Sequence, residues 1–430
     1  MTGDVDVLVI GAGVAGLAAA AALREAGVAC AVLEATGRVG GRAMTAELAG
    51  HPVDLGASWL HNADHNPLTA VARANGDVLV SSDGARERRK FVGTRPATDD
   101  EIADFVDTWD AFTDVASAQA ESGTDMSVAD AITPLRGRPW AATIEYWEAC
   151  LIAAADPRRF SVRDWHLNLL EGSNLEVGGG IGAFIARRLG PAAGDVRLRT
   201  PAMRIGWCRR GGEVIVETPR GRLSAGACIV TASTGVLACG AITFDPPLPA
   251  STAGAIAGLP MGLLTKVCFP VVAPGRLGFA ATTHLQRQVK VAVDPAMNFL
   301  CLPSGRPHVV GFTGGPGAWA LVREGHAAME DFARSELGGM LGTDALGALG
   351  PAVVADWAEN SAFLGAYAYA TVGNTTARAT LATPLSGGRL VFAGEATLTE
   401  GHAGTVGGAY LSGRAAARTV IEAVGARVGS

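Results

Sequence analysis

Residues 5–42, VDVLVIGAGVAGLAAAAALREAGVACAVLEATGRVGGR, decide the fold of this chain. The stretch predicts a buried strand over residues 7–10, a glycine turn, an Ala-rich helix over residues 14–26 and a second strand that ends at Glu34. A dinucleotide-binding unit has this order of elements: a strand, a glycine turn, a helix and a second strand that ends in a carboxylate. The sequence therefore predicts a dinucleotide-binding unit at this end of the chain.

The glycines of the turn each have an expected task. We expect Gly11 to make the tight turn, Gly13 to let the backbone approach a pyrophosphate, and Gly16 to let the helix pack on the strand. The helix N-terminus at Val14 and Ala15 would offer free N–H groups and a partial positive charge to the phosphates.

The residues that follow the second strand favour FAD over NAD. Glu34, followed by Ala35, is placed where a carboxylate accepts hydrogen bonds from a ribose. Arg38 and Arg42 flank Gly41 shortly afterwards. The planar fork of an arginine suits a diphosphate, so we expect these residues to contribute to a flavin nucleotide site. No second dinucleotide motif is present, which disfavours a nicotinamide-dependent enzyme.

Composition narrows the class of protein. The chain has 430 residues, 49% of them hydrophobic, and a net charge of −6, so it is long enough for two domains and gives no reason to expect nucleic acid as a partner. The seven scattered cysteines predict buried thiols in a reducing compartment, and no cluster suggests a metal. We expect no signal peptide and no membrane span, and hence a cytoplasmic protein.

The pattern along the chain predicts two interleaved domains. Residues 1–75, 190–258 and 363–430 are predicted to form a Rossmann-like, FAD-binding α/β domain. Residues 76–189 and 259–362 are predicted to form a substrate-binding domain of mixed sheet plus helices. The fold class is therefore a two-domain α/β (α+β) fold.

Several elements can be predicted inside these domains. Apolar residues at helical spacing predict an amphipathic helix over residues 99–120, with Ile102, Phe105, Val106, Trp109, Phe112 and Val115 on its buried face. Alternation and turn residues predict strands over residues 196–208, 213–218 and 222–230. A helix is predicted over residues 405–424, and three glycines at 178–180 open another.

Taken together, the motifs resemble those of one family, the FAD-dependent amine oxidases. Within it, the chain is most similar to polyamine oxidases and to the catalytic core of histone lysine demethylases. The resemblance covers nearly the whole chain and rests on several motifs in the same order: GAGVAG with GRVGGR, DLGASWLH at 54–61, a lysine-bearing strand at Lys266, Trp357 followed by GAYAY at 365–369, and FAGEAT with GTVGGAYLSG near the end.

The resemblance implies an oxidase of amines. A hydride equivalent passes from the carbon next to nitrogen to FAD, the imine is hydrolysed to an aldehyde, and dioxygen reoxidises the flavin with release of hydrogen peroxide. The substrate is expected to be a small polyamine-like or aliphatic amine. Ala366 replaces the cysteine that bonds covalently to the flavin in monoamine oxidases, so FAD is expected to be non-covalent. Thr405 replaces the second tyrosine of the family's aromatic cage.

Four residues are candidates for catalysis. The resemblance implies that Lys266 bonds through a water to the flavin, and a lysine in an otherwise apolar strand needs such a partner or task. It places Tyr367 against the flavin face, where it helps to hold the amine, and Trp357 beside the ring. His61 could orient the substrate nitrogen or a water. For Tyr369, ordinary packing is the favoured interpretation.

Further contacts to FAD are implied by the same motifs. Glu395 is expected near the ribityl or phosphate region, Met203 is expected to contact adenine through its main chain, and the helix that begins near Thr405 and Val406 is expected to stabilise negative charge on the ring. The remaining implied contacts are Gly56, Ala57, Ser58, Trp59, Trp357 and Gly394.

Alternatives stay open. An L-amino-acid oxidase on the same fold would need an arginine facing the flavin, and a desaturase or porphyrinogen oxidase would use an apolar tunnel. A flavin-binding module without activity is the remaining possibility. Polyamine recognition would require carboxylates at a distance from the flavin, for which Glu148, Asp156, Glu171 and Glu176 are candidates. The sequence leaves the oligomeric state open.

Overall fold

The computed structural model describes residues 5–83, 87–170, 172–207 and 213–425. The predictions for Glu171 and Cys208 lie outside these residues. Cys239 is exposed, and the other cysteines of the described part are buried and unpaired. No helix among the described residues is long and apolar enough to cross a membrane.

The first sheet is parallel and begins with the predicted nucleotide-binding unit. The strand Val7–Ile10, the helix Val14–Glu25 and the strand Cys30–Leu33 follow each other as predicted. Helices Ile181–Ala193 and Val406–Gly425 pack against the Ala-rich helix. In spatial order the strands are Leu390–Phe392, Ala227–Val230, Val7–Ile10, Cys30–Leu33 and Asp195–Arg197.

A four-stranded sheet packs against the other face of the parallel sheet through a shared apolar cluster that includes Ile205, Val216 and Leu8. Its strands, in spatial order, are Gly221–Ala225, Val214–Thr218, Arg204–Gly206 and Thr243–Asp245.

Two of the predicted strands are wrong in their extent. In place of the one strand predicted over 196–208, the described residues form two strands in different sheets. The chain leaves the parallel sheet after Arg197 and crosses Pro201, which has no N–H for a ladder. Residues 222–230 likewise divide at Gly226, where the chain passes from the four-stranded sheet to the parallel sheet.

The third sheet is mixed and combines two distant parts of the chain. Residues 87–96 join residues 264–354, and the strand Thr283–Arg287 pairs with Glu87–Val92 in parallel. The other pairings of this sheet are antiparallel. In spatial order the strands are Val353–Val354, Leu264–Pro270, His308–Gly314, Asn298–Cys301, Thr283–Arg287, Glu87–Val92 and Arg95–Pro96.

This pairing agrees with interleaved units, but the exact domain limits stay a prediction. Leu48, Val53 and Leu55, which the sequence assigns to the first domain, pack in the core of the mixed sheet. Two-stranded sheets complete the β structure: Thr45–Leu48 with His51–Asp54, Leu79–Ser81 with Leu175–Val177, and Met261–Gly262 with Tyr367–Ala368.

The predicted amphipathic helix runs from Asp99 to Glu121 and begins at a capping box formed by Thr98 and Glu101. Its buried face is narrower than predicted. Phe105 and Phe112 are buried, whereas Val106 is 48% exposed, as it lies about 100° around the helix from Phe105. Ile102 is also exposed, so its assignment to the buried face is wrong too.

The remaining helices lie around the sheets, and most of them are short. The segment Tyr146–Ile152 is a π-helix, a form that frequently occurs at functional sites. The α-helices are Pro67–Ala74, Val128–Ala131, Ala141–Glu145, Val162–Leu167, Thr234–Ala238, Ala250–Gly258, Gly315–Glu324, His326–Leu341 and Ala377–Ala382. Short 3₁₀ segments lie at Thr133–Leu135, Pro274–Leu277, Pro303–Gly305, Thr343–Ala348 and Glu395–Thr397.

Candidate active site

A cavity of about 630 Å³ lies where the parallel sheet, the mixed sheet and the helical residues 148–170 meet. Of the residues that the sequence predicts for the site, all except Gly16 and Arg38 line this cavity. A concave, largely apolar cavity with a few converging polar groups is typical of a cofactor and substrate site. The structure thus brings the predicted residues together, while their individual roles stay predictions.

The glycine turn leaves open space on the cavity side. Gly11 has a φ of +100°, which favours glycine. A Cβ at Gly16 would lie 1.9 Å from the Gly11 carbonyl oxygen, so this glycine is needed for the turn itself. At Gly13 the nearest atom to a Cβ would be 4.0 Å away. The cradle beside Gly13 therefore fits a pyrophosphate at the N-terminus of the helix that starts at Val14.

Glu34 holds this turn from the second strand. Its buried carboxylate accepts hydrogen bonds from the Ala12 N–H (2.7 Å), the Thr36 N–H (2.8 Å) and the Thr36 hydroxyl (2.7 Å). A carboxylate has about four acceptor positions. One therefore remains for the ribose contact that the sequence predicts.

The two predicted arginines differ in position. Arg38 donates to the carbonyls of Val39 and Gly41, which closes the loop, and it does not line the cavity. Arg42 lines the cavity and pairs with Glu395 at 2.8 Å. Of the two predicted arginines only Arg42 therefore lines the cavity, and its contact with FAD stays a prediction.

Both main-chain groups of Met203 are used by neighbouring strands. Its N–H donates to the Glu217 carbonyl (2.8 Å), and its carbonyl accepts from the Thr243 N–H (2.9 Å). Met203 lines the cavity together with Ala202. The predicted adenine contact through Met203 must therefore share a group with the sheet, since an amide N–H is one donor.

Lys266 is buried in the strand Leu264–Pro270, and its side chain is hydrogen-bonded to residues 54–58, at and just after the end of the strand His51–Asp54. Its ammonium donates to the carbonyls of Asp54 (2.8 Å) and Gly56 (2.5 Å) and to the Ser58 hydroxyl (2.5 Å). Burial lowers the pKa of this amine. Three acceptors match the three donors of an ammonium. A water bridge to the flavin would thus need Ser58 to exchange or relay its contact.

Aromatic rings and a histidine surround Lys266. Its Nζ lies 5.9 Å from the Trp59 ring and 5.4 Å from the Phe312 ring. His61 lies 6.0 Å from Trp59, and its Nδ1 is 2.6 Å from the Asn174 side-chain oxygen. Burial lowers the pKa of His61, so the ring is neutral near pH 7.

Trp357 lines the cavity from the loop after the last strand of the mixed sheet. Its Nε1 donates to the Leu55 carbonyl (3.1 Å), and its ring packs edge-on against Phe363. A Cβ at Gly56 would lie 3.2 Å from the Trp357 ring. The indole is therefore fixed on one side by packing and on the other by a hydrogen bond.

Tyr367 is held at its hydroxyl end by the π-helix. The hydroxyl contacts the carbonyls of Leu151 (3.1 Å) and Ile152 (3.0 Å), and burial raises the pKa of the phenol. Tyr369 is buried and packs edge-on against Phe160 at 5.9 Å. The tyrosines of the GAYAY motif thus face the helical part of the cavity.

The last helix points its N-terminus into the cavity. It begins at Val406, and the Thr405 hydroxyl caps it by accepting from the Gly408 N–H (2.9 Å). Thr405, Val406 and Gly394 all line the cavity. The side chain in place of the second cage tyrosine therefore has a structural use in this chain.

The four carboxylates that the sequence offers for polyamine recognition differ in their location relative to the cavity. Glu148, on the π-helix, lines the cavity and accepts from the Trp165 indole (3.0 Å). Burial raises the pKa of Glu148 to about 6. Asp156 pairs with Arg158 away from the cavity, and Glu176 lines a separate cavity of about 40 Å³. Glu171 lies outside the described residues.

Some residues that line the cavity could not be predicted from the sequence. Asp164 and Arg378 form a buried ion pair in the cavity wall. They are separated by 214 positions, so no local pattern could have joined them. Among the described residues no group of three or more His, Cys, Asp or Glu could hold a metal ion.

The fold and the cavity define a flavoenzyme of the amine oxidase class, and comparison with known proteins agrees. The family model "Flavin containing amine oxidoreductase" matches residues 14–421. The chain therefore belongs to this family and is a FAD-dependent amine oxidase. The predicted fold class and the predicted cofactor FAD are confirmed. When bound, FAD supplies the acceptor for a hydride equivalent.

The chain is similar to polyamine oxidases in particular. Polyamine oxidase 4 of Oryza sativa subsp. japonica is 31% identical over an alignment that covers 96% of this chain and 88% of that protein. Lysine-specific histone demethylase 1 homolog 2 of Arabidopsis thaliana is 27% identical, with 95% of this chain and 57% of that protein covered. The structure of putrescine oxidase bound to putrescine shares the fold, with a TM-score of 0.80, 22% identity and coverage of 97% and 99%.

Proposed function

We propose that this enzyme oxidises polyamines or related aliphatic amines that carry a second cationic group. One observation carries this proposal: Glu148, a partly desolvated carboxylate, lines the same cavity as Lys266 and Tyr367. A carboxylate in such a site attracts a distal ammonium more strongly than one in water. The similarity to polyamine oxidases supports the same substrate class.

The arginines of the cavity favour amines over amino acids. Among the described lining residues the arginines are Arg42 and Arg378. Arg42 is paired with Glu395, and Arg378 with Asp164. A substrate carboxylate would need an arginine that is free to form a fork. This arrangement supports an amine oxidase rather than an L-amino-acid oxidase.

The proposed overall reaction balances with water and dioxygen. A primary amine, water and O₂ yield an aldehyde, ammonia and hydrogen peroxide. The α-carbon of the neutral amine loses a hydride equivalent, and the resulting imine is hydrolysed. The apolar wall of the cavity favours the neutral form of the reacting nitrogen. We further propose a cytoplasmic location, and non-covalent FAD that acid precipitation releases, since Ala366 has no thiol.

Anaerobic mixing of the purified holoenzyme with amines tests the function directly. The panel contains spermine, spermidine, their acetyl forms, putrescine, benzylamine and several L-amino acids. We expect a polyamine or diamine to bleach the flavin, and peroxide to appear when air is admitted. Bleaching by L-amino acids alone would show an L-amino-acid oxidase instead. A flavin that no amine bleaches would refute the proposed function.

Replacing Glu148 with glutamine is expected to weaken binding of a diamine about 10- to 100-fold, because a hydrogen bond to a charged partner contributes roughly 1.5–3 kcal/mol. The limiting rate of flavin reduction should stay within about threefold, since the distal end does not react. Stopped-flow reduction at varied diamine concentration gives both values.

Glu176→Gln is the matched control, since it removes a buried carboxylate that lines only the small cavity. It should leave the diamine affinity unchanged. A butylamine of similar length should bind equally well to wild type and Glu148→Gln. Equal losses for diamine and monoamine would contradict a role of Glu148 in reading the distal ammonium.

The pH dependence of diamine binding should report the ionisation of Glu148. Its pKa, raised to about 6 by burial, means that the carboxylate is charged above pH 6 and neutral below it. The ratio of diamine to monoamine affinity should therefore fall as the pH drops from 7 to 5. Protonation of the reacting nitrogen affects both substrates and cancels in this ratio. Glu148→Gln should make the ratio independent of pH, and a wild-type ratio that stays flat would contradict the assignment.

A further inference from the structure

The strand that carries Tyr367 is bounded by charged side chains along one edge. Its other edge pairs with the Met261–Gly262 strand. Along this charged edge, main-chain carbonyls and N–H groups alternate. Each carbonyl accepts from an arginine, and each N–H donates to a carboxylate. In order, Arg42 donates to the Ala366 carbonyl (2.7 Å), Glu395 accepts from the Ala368 N–H (3.2 Å), Arg378 donates to the Ala368 carbonyl (3.1 Å) and Asp164 accepts from the Ala370 N–H (2.8 Å).

These four side chains form two ion pairs, which satisfy the main-chain groups that a neighbouring strand would otherwise bond. Arg42 pairs with Glu395 at 2.8 Å. Arg378 meets Asp164 through two hydrogen bonds, of 2.9 and 2.8 Å, and both of these side chains are 2% exposed. Two parallel bonds fix direction as well as distance. The second pair is therefore the more rigid end of the charged edge.

The Asp164–Arg378 pair is itself anchored in different parts of the chain. Asp164 lies in the first turn of the helix Val162–Leu167, and Asn168 donates to its carboxylate (3.0 Å). Arg378 is the second residue of the helix Ala377–Ala382 and also donates to the Ala396 carbonyl (3.3 Å). The pair thus connects the helical wall of the cavity with the segment that contains Glu395.

Such a pair is a costly way to stabilise a fold. Removing two charges from water offsets much of their attraction, and well-packed apolar residues often serve equally well. What the pair contributes is position: it fixes the Ala368 carbonyl and the Ala370 N–H relative to the cavity wall. Tyr367 directly precedes Ala368, the residue that both ion pairs contact: Glu395 accepts from its N–H and Arg378 donates to its carbonyl. The Tyr367 hydroxyl is held separately by the π-helix.

We propose that Asp164 and Arg378 are positioning residues for Tyr367. The pair sets the register of the strand, and through it the place of the Tyr367 ring in the cavity where FAD and the amine meet. The inference rests on the proposed role of Tyr367 beside the flavin. A displacement of about 1 Å in such a site can slow a reaction on the order of 100-fold.

The test compares Asp164→Asn with Asp77→Asn in the holoenzyme. Asp77 is the control because its carboxylate also pairs with arginines, Arg187 and Arg188, away from the cavity, and its side chain is 6% exposed. Both variants should lower the melting temperature. Only Asp164→Asn should change the visible circular dichroism of the bound flavin and slow its anaerobic reduction by spermidine at least about 10-fold.

Two further variants keep the test decisive if Asp164→Asn folds poorly. Arg378→Lys retains the charge but loses the fork, and should lie between wild type and Asp164→Asn in the rate of flavin reduction. The double variant D164L/R378M leaves no buried charge unpaired. It should regain melting temperature without regaining the rate.

The outcomes separate the positioning role from the proposed function. If Asp164→Asn and Asp77→Asn lose melting temperature alike, while the flavin spectrum and the reduction rate of Asp164→Asn match wild type, the pair is merely structural and the proposal fails. If no amine reduces the wild-type flavin, the proposed function fails instead, and the circular dichroism comparison still decides whether the pair orders the flavin site.

Discussion

Replacing Lys266 with methionine should slow the reoxidation of the flavin by dioxygen about 100-fold, the size of effect seen when a pre-organised polar group is removed from an active site. Lys266 is a buried ammonium in the wall of the cavity, among aromatic rings and three oxygen acceptors. Methionine fills a similar volume without charge or donors. The anaerobic reduction of the flavin by an amine should change far less, because that step transfers the hydride before dioxygen takes part.

Lys90→Met provides the control for loss of a half-buried, hydrogen-bonded lysine. Lys90 lies in the same mixed sheet, outside the cavity lining, and donates to Gln286 at 2.8 Å. Burial lowers the pKa of Lys90 to about 8. Both variants should lose stability, since each leaves buried acceptors without a donor. Stopped-flow mixing of the amine-reduced enzymes with aerated buffer should then slow only for Lys266→Met. Equal reoxidation rates would remove Lys266 from the reaction with dioxygen.

The part of the site that could be predicted from sequence is encoded locally. The turn from Gly11 to Gly16 and the carboxylate of Glu34 lie within one continuous segment of strand, helix and strand, whose order is fixed by the chain itself. Steric conflict within the turn is severe enough to restrict the residue type, as the 1.9 Å approach at Gly16 demonstrates. Such short-range constraints leave a recognisable pattern in a single sequence.

The part that could not be predicted depends on contacts between distant segments. Nothing near Asp164 indicates that Arg378 will meet it, because an ion pair has no spacing rule outside a helix or strand. The division of residues 196–208 into two strands likewise depends on which sheets accept them. Arg38 shows another limit: its local motif suggested a ligand contact, whereas the conformation of the loop turns its guanidinium to the carbonyls of Val39 and Gly41.

Gly13→Ala should abolish most FAD binding while leaving the apoprotein folded. The backbone at Gly13 is extended, with φ of −71°, so alanine fits without strain. In the protein alone the new methyl group has room, because its nearest neighbour would be 4.0 Å away. It would point into the cradle that fits the pyrophosphate. We expect FAD affinity to fall about 100-fold, as when roughly 3 kcal/mol of contacts are lost, measured by titration of the deflavinated protein.

Two other glycines separate loss of the cofactor from loss of the fold. Gly16→Ala places a methyl group 1.9 Å from the Gly11 carbonyl, so it should lower the melting temperature of the apoprotein itself. Gly254→Ala, on the exposed side of the helix Ala250–Gly258, meets no atom within 4 Å and should be neutral or stabilise by about 0.5–1 kcal/mol. The cradle assignment requires Gly13→Ala to resemble Gly254→Ala in apoprotein stability and to differ from it in FAD affinity. If Gly13→Ala binds FAD as wild type does, the pyrophosphate lies elsewhere in the cavity.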